Sequence, residues 1–390
     1  MRRSLKILIA LILFGLLGGG CFASLQSVFV APTATPTLAP TPTPWPVPVQ
    51  FDEPEVGVNL HVWWDPWASQ RDWRLAYEAN LAWAKQRLPW ANVRPSSDLP
   101  YDWSMPDRII DEAEAWGLDL VFRLDHPPAW ATPGDQPAGG PPDRPETFGA
   151  FCGDVATRYR GRVAGYQIWN EPNLAREWGG QAPDPAVYVE LLRVCNAAIK
   201  EADPQALVIS AGLAPTGSGP PEAMPDTDFL TGMYEAGAAP YFDLLGAHAP
   251  GYAAPPEVAP DETAETPAYG GQRFFCFRRV EDLRAIMEQY NDAETQVALL
   301  EFGWTTDPVH PAYSWFAVTP EQQADYLVRA ITYAREHWTP WIGPMFIWNI
   351  PDAFWTPEDE EFWWGIADPF HWEGGDTRPA YNALQELLAP

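Results

Sequence analysis

From residue 56 onward, short apolar runs alternate with longer stretches of mixed apolar and polar character. The runs at 56–62, 83–88, 118–124, 163–169, 206–211, 242–248, 296–300 and 344–350 are rich in β-branched and aromatic residues and read as buried strands. The stretches at 70–82, 105–116, 145–159, 185–202, 226–236, 280–290, 320–336 and 378–388 read as helices. Start signals support this: Ser104 ahead of Pro106, Asp226 or Thr227 as a cap, and Thr319 ahead of Glu321 and Gln322. Strict alternation predicts a parallel sheet with crossover helices. Eight repeats with no strand left over predict closure into a single-domain (β/α)8 barrel. The alternative, a doubly wound open sheet, lacks a Gly-rich phosphate loop after its first strand.

The chain ahead of the barrel has a different character. Residues 1–23 carry Arg2, Arg3 and Lys6, then an apolar run over 7–17, then small residues, which reads as a signal sequence. The run is short for a membrane span. Gly18-Gly19-Gly20-Cys21 resembles a bacterial lipoprotein cleavage site, with Gly18 where such sites carry a larger aliphatic residue. Cleavage after Ala23 and an uncleaved anchor are the alternatives, and each exports the rest. Residues 24–50 are Pro/Thr-rich and form an extended tether in this reading, and the folded domain covers 51–390. The expected location is extracellular or anchored to the cell envelope, with membrane contact through the N-terminus only.

Composition narrows the partner. Against 24 basic residues stand 52 acidic ones, a formal net charge of −28, which excludes nucleic acid and an anionic membrane surface as ligands. A neutral ligand suits this balance. The 21 tryptophans offer faces that stack on sugar rings, though they equally fill a large core. The cysteines at 21, 152, 195 and 276 match no zinc spacing. Cys152 and Cys195 fall on successive predicted helices, which leaves open a disulfide or two buried thiols; Cys276 has no obvious partner.

In a parallel barrel the chemistry sits at the C-terminal ends of the strands. The fourth strand runs into Asn170-Glu171-Pro172, where Pro stops it, and the seventh into Glu301-Phe302-Gly303-Trp304. The other ends carry His61, Trp63, Trp64 and Asp65, then Arg87 and Trp90, then Arg123, Asp125 and His126, then His248, and Trp348 with Asn349. Two glutamates three strands apart face each other across such a barrel. Paired carboxylates are what hydrolysis of an acetal bond needs, one to protonate the leaving oxygen and one to attack the anomeric carbon or activate water. The acids and histidines lie on different strands without ligand spacing, so no metal site is expected.

Asn170-Glu171-Pro172 after an apolar strand, with Glu301-Phe302-Gly303 after a later one, resembles the retaining glycoside hydrolases of clan A, nearest to families 39 and 5. The resemblance covers about residues 53–390 and implies cleavage of β-glycosidic bonds in an oligo- or polysaccharide, without a cofactor. It makes Glu171 the acid/base and Glu301 the nucleophile. It gives Asn170 to the sugar 2-hydroxyl, Arg87 to support of the nucleophile, and Trp348 to the floor of the subsite. His248 matches the strand-six histidine, and Trp304 and Tyr252 complete the substrate-binding set. The run His248-Ala249-Pro250-Gly251-Tyr252 departs from the family pattern, placing Tyr252 two residues late. A carbohydrate-binding barrel without turnover and a transglycosylase with the same residues are the rival readings.

Overall fold

The computed structural model describes residues 51–132, 134, 139–370 and 377–390. The signal sequence and tether expected before residue 51, with Cys21, lie outside the described residues. Among the described residues, no helix is long and apolar enough to cross a membrane.

Eight parallel strands close in chain order into one barrel. They are β1 (Val56–Leu60), β2 (Trp83–Pro89), β3 (Asp119–Asp125), β4 (Gly165–Ile168), β5 (Leu207–Ile209), β6 (Leu244–His248), β7 (Gln296–Phe302) and β8 (Ile342–Ile347), with β8 paired back onto β1. The principal helices follow one to a strand: α1 (Pro66–Glu78), α2 (Ser104–Trp116), α3 (Pro145–Arg158), α4 (Pro185–Ala202), α5 (Asp226–Glu235), α6 (Val280–Gln289), α7 (Pro320–His337) and α8 (Pro379–Leu387).

Local chemistry explains where the boundaries move. The first helix begins at Pro66, not residue 70, because the Asp65 carboxylate accepts from the amides of Trp67 and Ala68. Asp65 is therefore a cap and not a rim group. The fifth helix is not capped by Asp226 or Thr227: Pro225 precedes it, and the buried Asp226 carboxylate instead takes two hydrogen bonds from Arg279. Thr319 and Gln322 form a full capping box at the start of α7. Trp90 does not stand at the rim; it is buried and stacks on Phe151 at 5.2 Å.

Burial is divided between two layers. The outer faces of the strands pack with the helices into one large cluster that includes Trp73, Phe122 and Tyr166. The lower barrel interior holds a second cluster, with Trp83, Val121, Leu207, Leu300 and Phe346. Phe51 packs against this inner cluster, and the Gln296 carboxamide accepts from its N–H and donates to its carbonyl. Helices α3 and α4 are joined by a disulfide between Cys152 and Cys195, with Cα atoms 5.4 Å apart, and Cys276 is free and buried.

Candidate active site

Side chains alternate faces along a strand, so every second residue points into the barrel. On β2 this inward series is Trp83, Lys85, Arg87, and on β3 it is Val121, Arg123, Asp125. Each begins apolar in the lower core and ends charged. The change from oil to charge along one strand makes the upper barrel a polar site above a dry floor.

Glu171, His248 and Glu301 meet at this level. His248 lies beside Glu301 in the register of β6 and β7. Its Nδ1 is 3.0 Å from Glu171 Oε1 and 3.6 Å from Glu301 Oε2. One oxygen from each glutamate and the imidazole nitrogen all lie within 4.8 Å of one another. The expectation that acids and histidines on separate strands would lack ligand spacing is corrected here, since barrel closure brings strand ends together regardless of sequence distance. Lys85 and Arg123 already supply positive charge to this cluster.

The backbone around Glu171 is unusual. Trp169 and Glu171 both take left-handed conformations, with φ of 72° and 41°. Such residues cost on the order of 1 kcal/mol each and persist where the surroundings fix them. Here the Glu171 amide donates to the Gly212 carbonyl at 3.0 Å, and the Trp169 indole donates to the Glu177 carbonyl at 3.0 Å. Gly212 is itself required: a Cβ there would come within 2.1 Å of the His248 ring.

Charge differs around the two carboxylates. Burial pushes the Glu171 carboxyl up, but the hydrogen bond and charge of His248, joined by Arg176 at 3.2 Å, outweigh it and hold Glu171 below the usual glutamate value. Glu301 instead faces Lys85 at 3.3 Å and Arg123 at 3.9 Å. Burial lowers Lys85 to about 8, with Glu301 opposing that shift.

A cavity of about 500 Å³ opens over the pair, within the range of ligand sites. Of the residues expected in it, Asn170, Glu171, His248, Tyr252, Glu301, Trp348 and Arg87 all line it. Asn170 Oδ1 accepts from Gln167 at 3.5 Å.

Arg87 needs correcting in its role. Its ion-pair partner is Asp125 at 2.7 Å, not Glu301. The strand-two cation on Glu301 is Lys85, one pleat lower on the same face. Trp304 is also corrected: it is fully buried, its indole donates to the Ala254 carbonyl, and it packs against Phe277 and Tyr326 away from the cavity. The Tyr252 hydroxyl donates to the Pro215 carbonyl at 3.5 Å and not to Glu301. Asn349 is buried and does not line the cavity.

Sequence reasoning passed over Lys85, Arg176, Glu177 and Tyr313, and the acidic run at 358–361 carries no motif. Glu360 and Glu361 from that run line the cavity, and burial pushes the Glu360 carboxyl up while Tyr313 hydrogen-bonds it. Trp315, Trp355 and Trp363 do not line it.

No protein-family model matches the chain, and no curated protein does. Solved structures do. A family 39 glycoside hydrolase from the gut symbiont Bacteroides cellulosilyticus WH2 superposes with a TM-score of 0.62 and 22% identity, over 86% of this chain and 64% of its own length. A family 39 β-xylosidase from Caulobacter crescentus gives 0.56 and 19%, over 87% of this chain and 72% of its own. An endoglucanase from Pseudomonas stutzeri gives 0.56 and 13%, over 88% and 97%. The chain thus spans less than two thirds of the first of these proteins and most of the last. With a closed barrel of eight parallel strands in chain order, it has the fold of the glycoside hydrolases of families 39 and 5.

Proposed function

We propose that the protein is an exported glycoside hydrolase that cleaves β-glycosidic bonds with retention. The observation that carries this reading is the convergence of Glu171 and Glu301 on one imidazole, with carboxylate oxygens within 4.8 Å. Carboxyl groups about 5–5.5 Å apart belong to retaining enzymes, and a gap of about 6.5–9.5 Å belongs to inverting ones that seat a water between them.

Glu301 is the nucleophile. It must be ionised to attack the anomeric carbon, and Lys85 and Arg123 favour its charged form. Glu171 gives its proton to the leaving oxygen as the glycosidic bond breaks. Substrate entering over Arg176 displaces that cation from Glu171, and the remaining burial then favours the protonated acid. Once Glu301 is consumed in the glycosyl ester its charge is gone. Glu171 then takes a proton from water, which attacks the same carbon and frees the sugar. His248 holds both carboxylates in register, Asn170 offers its amide to a hydroxyl beside the scissile bond, and Trp348 presents its ring to the sugar. The buried Cys152–Cys195 bridge supports the exported location, since disulfides persist in oxidising compartments.

The test is hydrolysis of a panel of aryl β-glycosides and β-linked polysaccharides by the whole chain, beside Glu301→Ala and Glu171→Ala. Turnover that falls by about 10³-fold or more in Glu301→Ala and returns with azide supports the retaining mechanism. Sugar binding without turnover in the wild type would favour the carbohydrate-binding barrel. Activity that survives both substitutions would remove this site assignment.

A further inference from the structure

The cavity over the glutamate pair does not stand alone. On the β1–β3 side it meets a second cavity of about 270 Å³, and Arg87 lines both. On the β4–β5 side it meets a third of about 380 Å³, and Leu174, Arg176 and Thr216 line both. We infer that the three form one groove across the barrel top and that the substrate is a sugar chain lying along it, cut internally with sugar units held on both sides of Glu171 and Glu301. This inference rests on the glycosidase reading and specifies its substrate class.

The second cavity has the chemistry of a sugar seat. Trp63 and Trp64 meet edge to face at 6.3 Å, and Trp64 is 62% exposed, leaving an aromatic face free for the apolar side of a pyranose. Around them stand Asn92, His126 and Asp352, which can give and take hydrogen bonds with hydroxyls. Its cation, Arg87, is ion-paired with Asp125, and burial pushes the Asp352 carboxyl up, so the lining suits an uncharged ligand. An independent sign comes from His61, which lines this cavity with its Nε2 buried and without a hydrogen-bond partner. Buried polar atoms are ordinarily satisfied, and a sugar hydroxyl would complete this one.

The third cavity sets the small or hydroxylic Ala175, Thr216, Ser218 and Ala223 beside Leu174, Arg176 and Glu222. It offers room and hydrogen bonds without an aromatic platform, as suits a loosely held leaving side. An enzyme that removes single units from a chain end needs a wall on one side of its carboxylates. Among the described residues, both sides instead open into further cavities.

The experiment uses the whole chain on xylo- and cello-oligosaccharides from disaccharide to hexasaccharide, with the matching polymers and reducing-end-labelled oligomers. The expected result is a kcat/KM that rises by about tenfold or more from disaccharide to tetrasaccharide, a gain of the size one added subsite contact confers. Early products from the polymer should be of intermediate length. Trp64→Ala should lower kcat/KM on the tetrasaccharide about tenfold more than on the disaccharide. Release of single sugars from one end at a rate independent of chain length overturns the inference and leaves the glycosidase reading intact. A Trp64→Ala loss equal at every length overturns it as well. Absence of turnover on every glycoside removes both.

Discussion

Lys85 Nζ lies 3.3 Å from Glu301 Oε1 inside the barrel and donates to the Leu300 carbonyl at 3.0 Å. Burial pushes this ammonium down to about 8, and Glu301 holds it from falling further. The pair sets the Glu301 carboxyl against a cation buried from water. Lys85→Met removes the positive charge nearest Glu301. In the proposed mechanism Glu301 attacks as the carboxylate, and without that charge the carboxylate is less favoured. kcat/KM should therefore fall by about 10²-fold, the scale of removing one electrostatic partner in an active site. Lys85→Arg keeps the charge and should lose less. Equal kcat/KM for wild type and Lys85→Met would show that Lys85 does not support Glu301.

Arg176 acts on the other carboxylate. Its guanidinium is 72% exposed and lies 3.2 Å from Glu171. Without it the Glu171 carboxyl rises. A general acid works when protonated, so its activity is lost as pH rises through its pKa. Arg176→Gln should shift the basic limb of kcat/KM to higher pH. The shift should be a fraction of a unit and should shrink as salt is raised, because an exposed charge is screened. A basic limb that moves to lower pH would contradict the arrangement.

The sequence shows the frame of this site more clearly than its interior. The eight alternating elements, the strand ends at Asn170-Glu171 and Glu301 and the Thr319 cap are local patterns, legible because each depends on neighbours in sequence. The exchange of Arg87 for Lys85 beside Glu301 is not local. Both cations share one strand face, and only the vertical register of β2 against β7 decides which one reaches the carboxylate. Trp304 was misread for a similar reason: after Gly303, with φ of 155°, its ring turns behind the sheet, into space that Gly251 leaves open. Glu360 and Glu361 carry no sequence signal beyond charge, and it takes the fold of the β8 loop to bring them over the cavity.

His61 ties the same region to acid stability. Burial, with Arg123 and Lys85 nearby, lowers its imidazole to about 3 from an ordinary 6.5. The ring sits between Trp348 and Trp355, at centroid distances of 5.4 and 4.5 Å. Between pH 6.5 and 3 the unfolded chain binds a proton that the folded chain refuses. This contribution is therefore fully present above pH 6.5 and is lost as pH falls, with a slope approaching about 1.4 kcal/mol per pH unit. Other groups titrate in the same window, so the informative quantity is a difference. His61→Phe keeps a ring between the tryptophans and removes the proton site. Denaturant midpoints measured from pH 7 to 4 should fall less steeply for the variant than for the wild type. Parallel slopes would mean that His61 is not held neutral.

The bridge between α3 and α4 sets a last expectation. Cys152 and Cys195 are 43 residues apart, and closing a loop of that length removes about 4 kcal/mol of unfolded-chain entropy in the loop-closure account, against measured effects of about 2–4 kcal/mol. Both sulfurs are fully buried, so reductant should act on the unfolded chain faster than on the folded one. Two consequences follow. The Cys152→Ala/Cys195→Ala variant should lose about 2–4 kcal/mol of stability in denaturant titration while its kcat/KM stays near that of the wild type, since the bridge lies on the helical layer and not at the cavity. The wild type refolded under reducing conditions should match that variant. If reduction leaves the midpoint where it was, the bridge contributes nothing to stability, and the support it lends to an exported location goes with it.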